Sequence, residues 1–308
     1  MAKILVTGGA GFIGSNVADR LIKLGHKVVI VDDLSSGFES NINPKATFHE
    51  MDIRDPKLRE VFENERPEYV IHHAAQMDVR KSVEDPMFDA DVNIKGGLHV
   101  IMLALEFKVR KFIYASTGGA VYGEPEYLPV DEKHPINAIS QYGISKHTLE
   151  HYLFLYQSLY GLSYTVLRYP NVFGPRQNPH GEAGVNAIFI GMMLEGKTPK
   201  IFGDGEALRD YLYVGDIVDA NVIALKDGDN AVFNLGWGRG ISVNEIYRIL
   251  QKLIGFEHPP IYDEARAGEI QRVYLDATKA KSELGWEPKV TYEEGLQKTI
   301  DWFRQKVS

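Results

Sequence analysis

Residues 6–14 read VTGGAGFIG, which sets Gly8, Gly11 and Gly14 at three-residue intervals, directly after the strand-like run KILVT and at the opening of a helical pattern. Glycines at this spacing let the chain turn tightly out of a strand and bring its backbone against a pyrophosphate. They also place that charge on the N-terminal end of a helix dipole. A glycine triplet alone is weak evidence, because glycine turns occur in many folds. Here its setting agrees: Asp32 stands at the end of the next predicted strand, 18 residues beyond Gly14, where a carboxylate can accept both hydroxyls of a ribose. The same carboxylate repels a 2'-phosphate, and Asp33 follows it with no arginine nearby. NAD is therefore expected rather than NADP.

The first half continues the rhythm that this motif begins. KVVIVDD, ATFHEMD, EYVIHHAA and KFIYAS read as strands, with helical patterns at 11–24 and from about Met87 to Phe107. Such alternation produces a parallel sheet wound on both faces by right-handed crossovers. A long helix is predicted from about Ser140 to Tyr160, followed by a strand in SYTVLRY. Beyond Pro170 the texture changes to loops such as NVFGPRQNPHGEAG, which indicate a second lobe carrying specificity. The expected fold is α/β, a Rossmann-type doubly wound parallel sheet over residues 1–170 with a smaller substrate-binding lobe over 171–308. VFNLG, near 231–236, is expected to return as a strand to the first sheet.

Composition removes several function classes. A formal net charge of -8 and a pI near 5.7 disfavour a nucleic-acid partner, since phosphate backbones need a basic surface. The absence of cysteine excludes disulfides, thiolate-ligated zinc, iron–sulfur clusters and thiol nucleophiles. Neither a signal-peptide pattern nor a membrane-length apolar run is seen, so no membrane partner is expected and the cytoplasm is the expected location. His147 and His151 lie one helical turn apart, but no third ligand accompanies them and no metal is expected. HTLEHYLFLYQSLYG is apolar at nearly every helical angle. A sheet covers only one side of such a helix, and a second subunit, giving a homodimer, is the expected cover for the rest.

Gln141–Lys146 read QYGISK, and Tyr142 is the one tyrosine followed by lysine four positions later. On a helix that spacing puts both on one face. A phenol with a free pKa of about 10 is a poor base at neutral pH unless a cation stabilises its phenolate. Lys146 can supply that cation and can also hold a ribose beside the hydride acceptor.

The ordered motifs TGGAGFIG, DVN, AST and YGISK resemble the extended branch of the short-chain dehydrogenase/reductase superfamily. RYPNVFGPRQ, FGDGEALRDYLYVGD and RAGE resemble its nucleotide-sugar epimerases, and the resemblance runs from Lys3 to about Gly285. It implies a retained NAD and interconversion of UDP-glucose and UDP-galactose by transient oxidation at C4. It implies Tyr142 as acid and base, Lys146 as its cationic partner, and Asn93 in support. Around NAD it implies Phe12 and Ile13 at the helix start, Asp33 and Ser36 near the adenosine, and Asp52 and Ile53 at the adenine. Ala74 and Gln76 are implied on the sheet edge and Tyr169 by the nicotinamide. For the UDP-sugar it implies Asn171 and Asn186, with Arg209 and Arg266 on the pyrophosphate.

The sequence departs from this pattern at two places. A hydroxyl residue usually stands four positions before the tyrosine of VYG, where this chain has Gly118. Thr117 is the expected substitute, for substrate contact and catalysis, with Ser116 as the alternative. Gly119 and Ala120 supply none of the acidic residues that related dehydratases and decarboxylases carry there, so water elimination lacks its catalyst. Val273 falls where some epimerases carry a tyrosine that narrows the sugar pocket, which would admit an N-acetyl group; a one-residue shift to Tyr274 would undo that inference. Epimerisation of UDP-GlcNAc, UDP-glucuronate or a dTDP-sugar remains the nearest competing activity. A sensor of NAD or nucleotide sugars without chemistry is the alternative of a different class.

Overall fold

Strand residues of the central sheet divide between two cores. In β1 (Lys3–Thr7), Ile4 and Val6 enter one buried cluster while Leu5 enters another. In β2 (Lys27–Asp32), Val28 and Ile30 oppose Val29 and Val31 in the same way. This alternation of apolar side chains on both faces is what a strand covered by helices on each side requires. The computed structural model, which describes residues 1–180, 184–265 and 270–307, completes the sheet with five further strands. They are β3 (Thr47–Glu50), β4 (Tyr69–His72), β5 (Lys111–Thr117), β6 (Ser163–Tyr169) and β7 (Ala231–Asn234). The strand order is β7-β6-β5-β4-β1-β2-β3, and every pairing is parallel.

Because β2 lies on one side of β1 and β4 on the other, the crossovers diverge there and a crevice opens at the carboxyl ends of these strands. Register brings those ends level: Thr7 faces Val31 in β2 and His72 in β4. Helix α1 (Phe12–Lys23) covers one face, while α2 (Leu58–Glu65), a run of short helical pieces and the long helix Gln141–Tyr160 cover the other.

The short pieces correct the helix expected from Met87 to Phe107. They are α3 (Val79–Glu84), α4 (Pro86–Ala90), a π-helical segment at Asp91–Gly96 and α5 (Gly97–Glu106). A π turn inserts an extra residue into the ladder and re-aims side chains, and the effect falls on Asn93. The predicted long helix is α6 (Gln141–Tyr160). Ser140 accepts the Gly143 amide at 3.1 Å to cap its start, and Gly161 at φ 75° ends it, as N-cap serine and a left-handed C-terminal glycine do.

Helices α7 (Val185–Leu194), α9 (Val243–Ile254) and α10 (Tyr292–Val307) build a separate buried cluster around Phe189, Tyr247, Leu250, Leu296 and Ile300. Between α7 and α9, α8 (Val214–Ala224) returns to the sheet, where Ile217, Ala220 and Ala224 join Val17, Ala18 and Leu21 of α1. A fourth cluster, of Val121, Tyr122, Val130, Val273 and Leu275, ties the loop after β5 to the strand Arg272–Val273 and its flank. Among the described residues no helix is long and apolar enough to cross a membrane.

Candidate active site

The turn out of β1 leaves no room for side chains. Gly8 has φ +68°, and a Cβ there would stand 2.6 Å from the Ala74 nitrogen; a Cβ at Gly14 would stand 2.2 Å from the Gly8 carbonyl oxygen. Gly11 starts α1 without a side-chain cap, and no acidic residue lies in the first turn. Helix geometry therefore leaves the amides of Phe12, Ile13 and Gly14 without partners inside the helix, in position to bind an anion. Asp32 accepts the Ala10 and Leu34 amides, each at 2.9 Å. A carboxylate has further acceptor sites, and burial raises the Asp32 pKa. Asp33 and Ser36 are exposed on the same loop, where Asp33 accepts the Ser35 amide and hydroxyl. These features fit a dinucleotide.

Asp52 is engaged by Arg54, whose guanidinium also reaches Asp91 at 2.7 Å. Hydrogen bonding from Arg54 holds the Asp52 carboxyl below its ordinary range. Ile53 is buried against Gly96. At the end of β4, Ala74 donates its amide to Thr7 Oγ1 at 3.3 Å, and the Gln76 amide donates to Asn93 Oδ1 at 2.9 Å. The π segment turns Asn93 so that its Nδ2 meets the Gln76 carbonyl, Asp89 Oδ1 and Ser145 Oγ. One buried asparagine thus joins the β4 loop to α6 beside Lys146.

Lys146 is buried, with its Nζ 4.7 Å from the centre of the Tyr114 ring. Desolvation pushes it down to about 8, opposed by the charges of Glu150 and Asp89. Burial raises the Tyr142 phenol well above its ordinary value, and Asp89 adds to the shift. Asp89 was not predicted from the sequence; its only sequence signal is the helical spacing to Asn93. His73 follows β4, where a polar tip near solvent or cofactor is the plain reading of the sequence. Its Nε2 lies 3.2 Å from the Tyr169 hydroxyl, which accepts a bond from Asn221 at 2.8 Å. Burial and the Lys146 charge lower His73 to about 3, so it is neutral at physiological pH.

Ser116 and Thr117 point in opposite directions, as consecutive strand residues do. The Ser116 hydroxyl donates to buried Glu150. The Thr117 hydroxyl lies on the side of Gly119, whose position is also approached by Asn171 Oδ1. Gly118 packs against Leu275: a Cβ there would stand 2.3 Å from Leu275 Cδ1, so a side chain at this place requires that leucine to shift. Gly119, Asn171, Asp210, Val273 and Leu275 line one small pocket, while the Tyr274 ring lies against Gly240. Buried Asp210 accepts the amides of Trp237, Gly238 and Leu275.

The remaining predicted substrate residues are dispersed. The Arg209 guanidinium is half-buried and donates to the Leu208 carbonyl at 3.0 Å. Asn186 is buried in α7, where its Oδ1 accepts the Tyr292 hydroxyl. Arg266 lies outside the described residues. His147 and His151 contact each other at 3.0 Å, and His147 also meets Glu150 at 3.0 Å.

The crevice, the glycine cradle and the helical Tyr–Lys pair define the class, a Rossmann-type dinucleotide-binding protein of the dehydrogenase/reductase kind. Residues 4–236 match the model of the NAD dependent epimerase/dehydratase family, and the chain belongs to that family. It is 50% identical to the putative UDP-glucose 4-epimerase of Methanocaldococcus jannaschii, across 98% of each chain. It is similar to the solved structure of UDP-glucose 4-epimerase with UDP-glucose from Thermotoga maritima, with 50% identity and a TM-score of 0.98 over 99% of this chain and 100% of that one. The Thermus thermophilus UDP-glucose 4-epimerase in complex with NAD is 40% identical, with a TM-score of 0.93 over 98% and 99% of the two chains.

Proposed function

We propose that this chain is an NAD-dependent UDP-glucose 4-epimerase that interconverts UDP-glucose and UDP-galactose. The observation that supports the reading is the Tyr142–Lys146 pair, one turn apart on α6, in the same chain as the glycine cradle at the start of α1. NAD, when bound, supplies a reversible hydride acceptor that is regenerated within each turnover. Phe12, Ile13 and Gly14 hold its pyrophosphate by their amides, with Gly8 and Gly11 shaping the approach. Asp32, Asp33 and Ser36 take the adenosine side, with Asp52 and Ile53 at the adenine; Ala74, Gln76, Asn93 and Tyr169 line the path towards Lys146. Tyr142 takes the proton from the sugar C4 hydroxyl and returns it. Lys146 as a cation offsets the burial that otherwise keeps the phenol protonated. Thr117 steadies the sugar hydroxyl, since Ser116 is committed to Glu150. Asn171, Asn186, Arg209 and Arg266 serve the UDP-sugar, all from the part of the chain that begins at residue 171.

The decisive test is conversion of UDP-galactose to UDP-glucose by purified protein with no NAD added, read by chromatography. Turnover is expected, without accumulation of NADH. UDP-GalNAc run in parallel is expected to turn over as well, because Val273 rather than a bulkier ring lines the pocket. Failure on both substrates, even with NAD supplied, would defeat the assignment.

A homodimer is part of the same proposal. Phe154, Leu159 and Tyr160 of α6 are 60%, 61% and 59% exposed, and a large apolar face of this kind is normally covered. Replacing Phe154 and Leu159 together by glutamate is expected to give a monomer in sedimentation velocity. An unchanged sedimentation coefficient would place the interface elsewhere.

A further inference from the structure

Glu150 is a buried carboxylate one helical turn beyond Lys146, and the proposed reaction gives it no part. Its oxygens accept four hydrogen bonds, from Ser116 Oγ at 2.5 Å, Arg168 Nε at 3.0 Å, Arg168 Nη2 at 2.5 Å and His147 Nδ1 at 3.0 Å. Arg168, also buried, continues through Nη1 to the Tyr122 hydroxyl at 2.7 Å, which donates to Asn234 Oδ1 at 2.7 Å. Ser116 adjoins Thr117, Arg168 adjoins Tyr169, and Asn234 ends β7. A single polar network therefore fixes α6 against the strands that carry the other groups of the crevice. Surface ion pairs contribute little, but a buried, fully hydrogen-bonded pair fixes geometry and acts through a low local dielectric.

We infer that Glu150 is a positioning residue for the proposed epimerisation: clamped by Arg168 and Ser116, its carboxylate holds α6 in register and keeps Lys146 charged beside Tyr142. The inference rests on the reading of Tyr142 and Lys146 given above. Among the described residues, the groups that interact with Lys146 are Asp89 from α4, His72 and His73 from β4 and its end, Tyr114 from β5, and Glu150 from α6. Both histidines are held neutral by burial, which leaves Asp89 and Glu150 as the two anions that favour the ammonium.

The test is the pH profile of kcat for UDP-galactose conversion by the NAD-loaded enzyme. Glu150→Gln removes the charge but leaves Arg168 buried without a partner anion, a costly state. The paired variant Glu150→Met/Arg168→Met removes both charges and preserves volume. Lys146 must hold its proton to act, so loss of the carboxylate moves the alkaline fall in kcat to lower pH, by about one unit. At the alkaline end kcat is expected to drop about tenfold, while KM for the sugar nucleotide stays within about twofold. An alkaline limb that stays in place, with kcat reduced equally at every pH, would reduce Glu150 to packing and overturn the inference. If the paired variant is the only one that folds, its profile decides the question. Lack of turnover by the unmodified chain would instead defeat the epimerase reading itself.

Discussion

Tyr142→Phe is expected to lower kcat by about a thousandfold, in the range that loss of a positioned general acid and base produces. The ring body remains, so the packing of α6 is kept. The deleted hydroxyl is one whose ionisation the surroundings already oppose, because burial and Asp89 raise the Tyr142 pKa. Nothing in the glycine cradle depends on it. NAD content, measured by absorbance after denaturing the purified variant, is therefore expected to match that of the unmodified protein, and the melting temperature is expected to change little. This combination separates an enzyme from a nucleotide sensor: a sensor would keep its whole function in the variant. Turnover within tenfold of the unmodified protein would move the acid and base role away from Tyr142, and His73 would be the next group to examine, since it lies close enough to sense the Lys146 charge.

Local rules explain what could be read in advance. The strands were visible because both faces of β1 and β2 are buried, which forces continuous apolar runs. The cradle was visible because tight turns admit only glycine, and α6 because Ser140 and Gly161 punctuate it. What escaped depends on contacts distant in sequence. No periodicity announces that the ladder widens at Asp91–Gly96, and Asn93 finds its partners in Gln76, across a loop, and Ser145, on another helix. Asp89 and Glu150 look like ordinary helix-surface carboxylates until the fold buries them. Gly118 reads as a missing hydroxyl, and the structure adds that Leu275, distant in sequence, packs against it and would have to shift for a side chain there. Asn186 shows the reverse case. Family resemblance implies that it meets the sugar nucleotide, and the fold adds a bond to the Tyr292 hydroxyl that no local pattern announces.

Gly14→Ala carries the second large effect, and it acts through space rather than through chemistry. Position 14 lies in the first turn of a helix, where alanine is ordinarily favoured over glycine by nearly 1 kcal/mol. Here the new methyl would stand 2.2 Å from the Gly8 carbonyl oxygen and 3.1 Å from the Gly9 Cα. Neither neighbour can rotate away, because both are backbone and Gly8 is itself confined by Ala74. The start of α1 must therefore move away from the turn, taking with it the amides of Phe12 and Ile13. Overpacking of this kind costs about 1–3 kcal/mol in the fold. The displaced helix end also loses the close approach on which a pyrophosphate depends, so NAD affinity is expected to fall by about a hundredfold. Isothermal titration of NAD into cofactor-stripped protein reads the affinity, and thermal denaturation of the same sample reads the fold. A folded Gly14→Ala protein that binds NAD as tightly as the original would show that the cradle is not where the pyrophosphate rests.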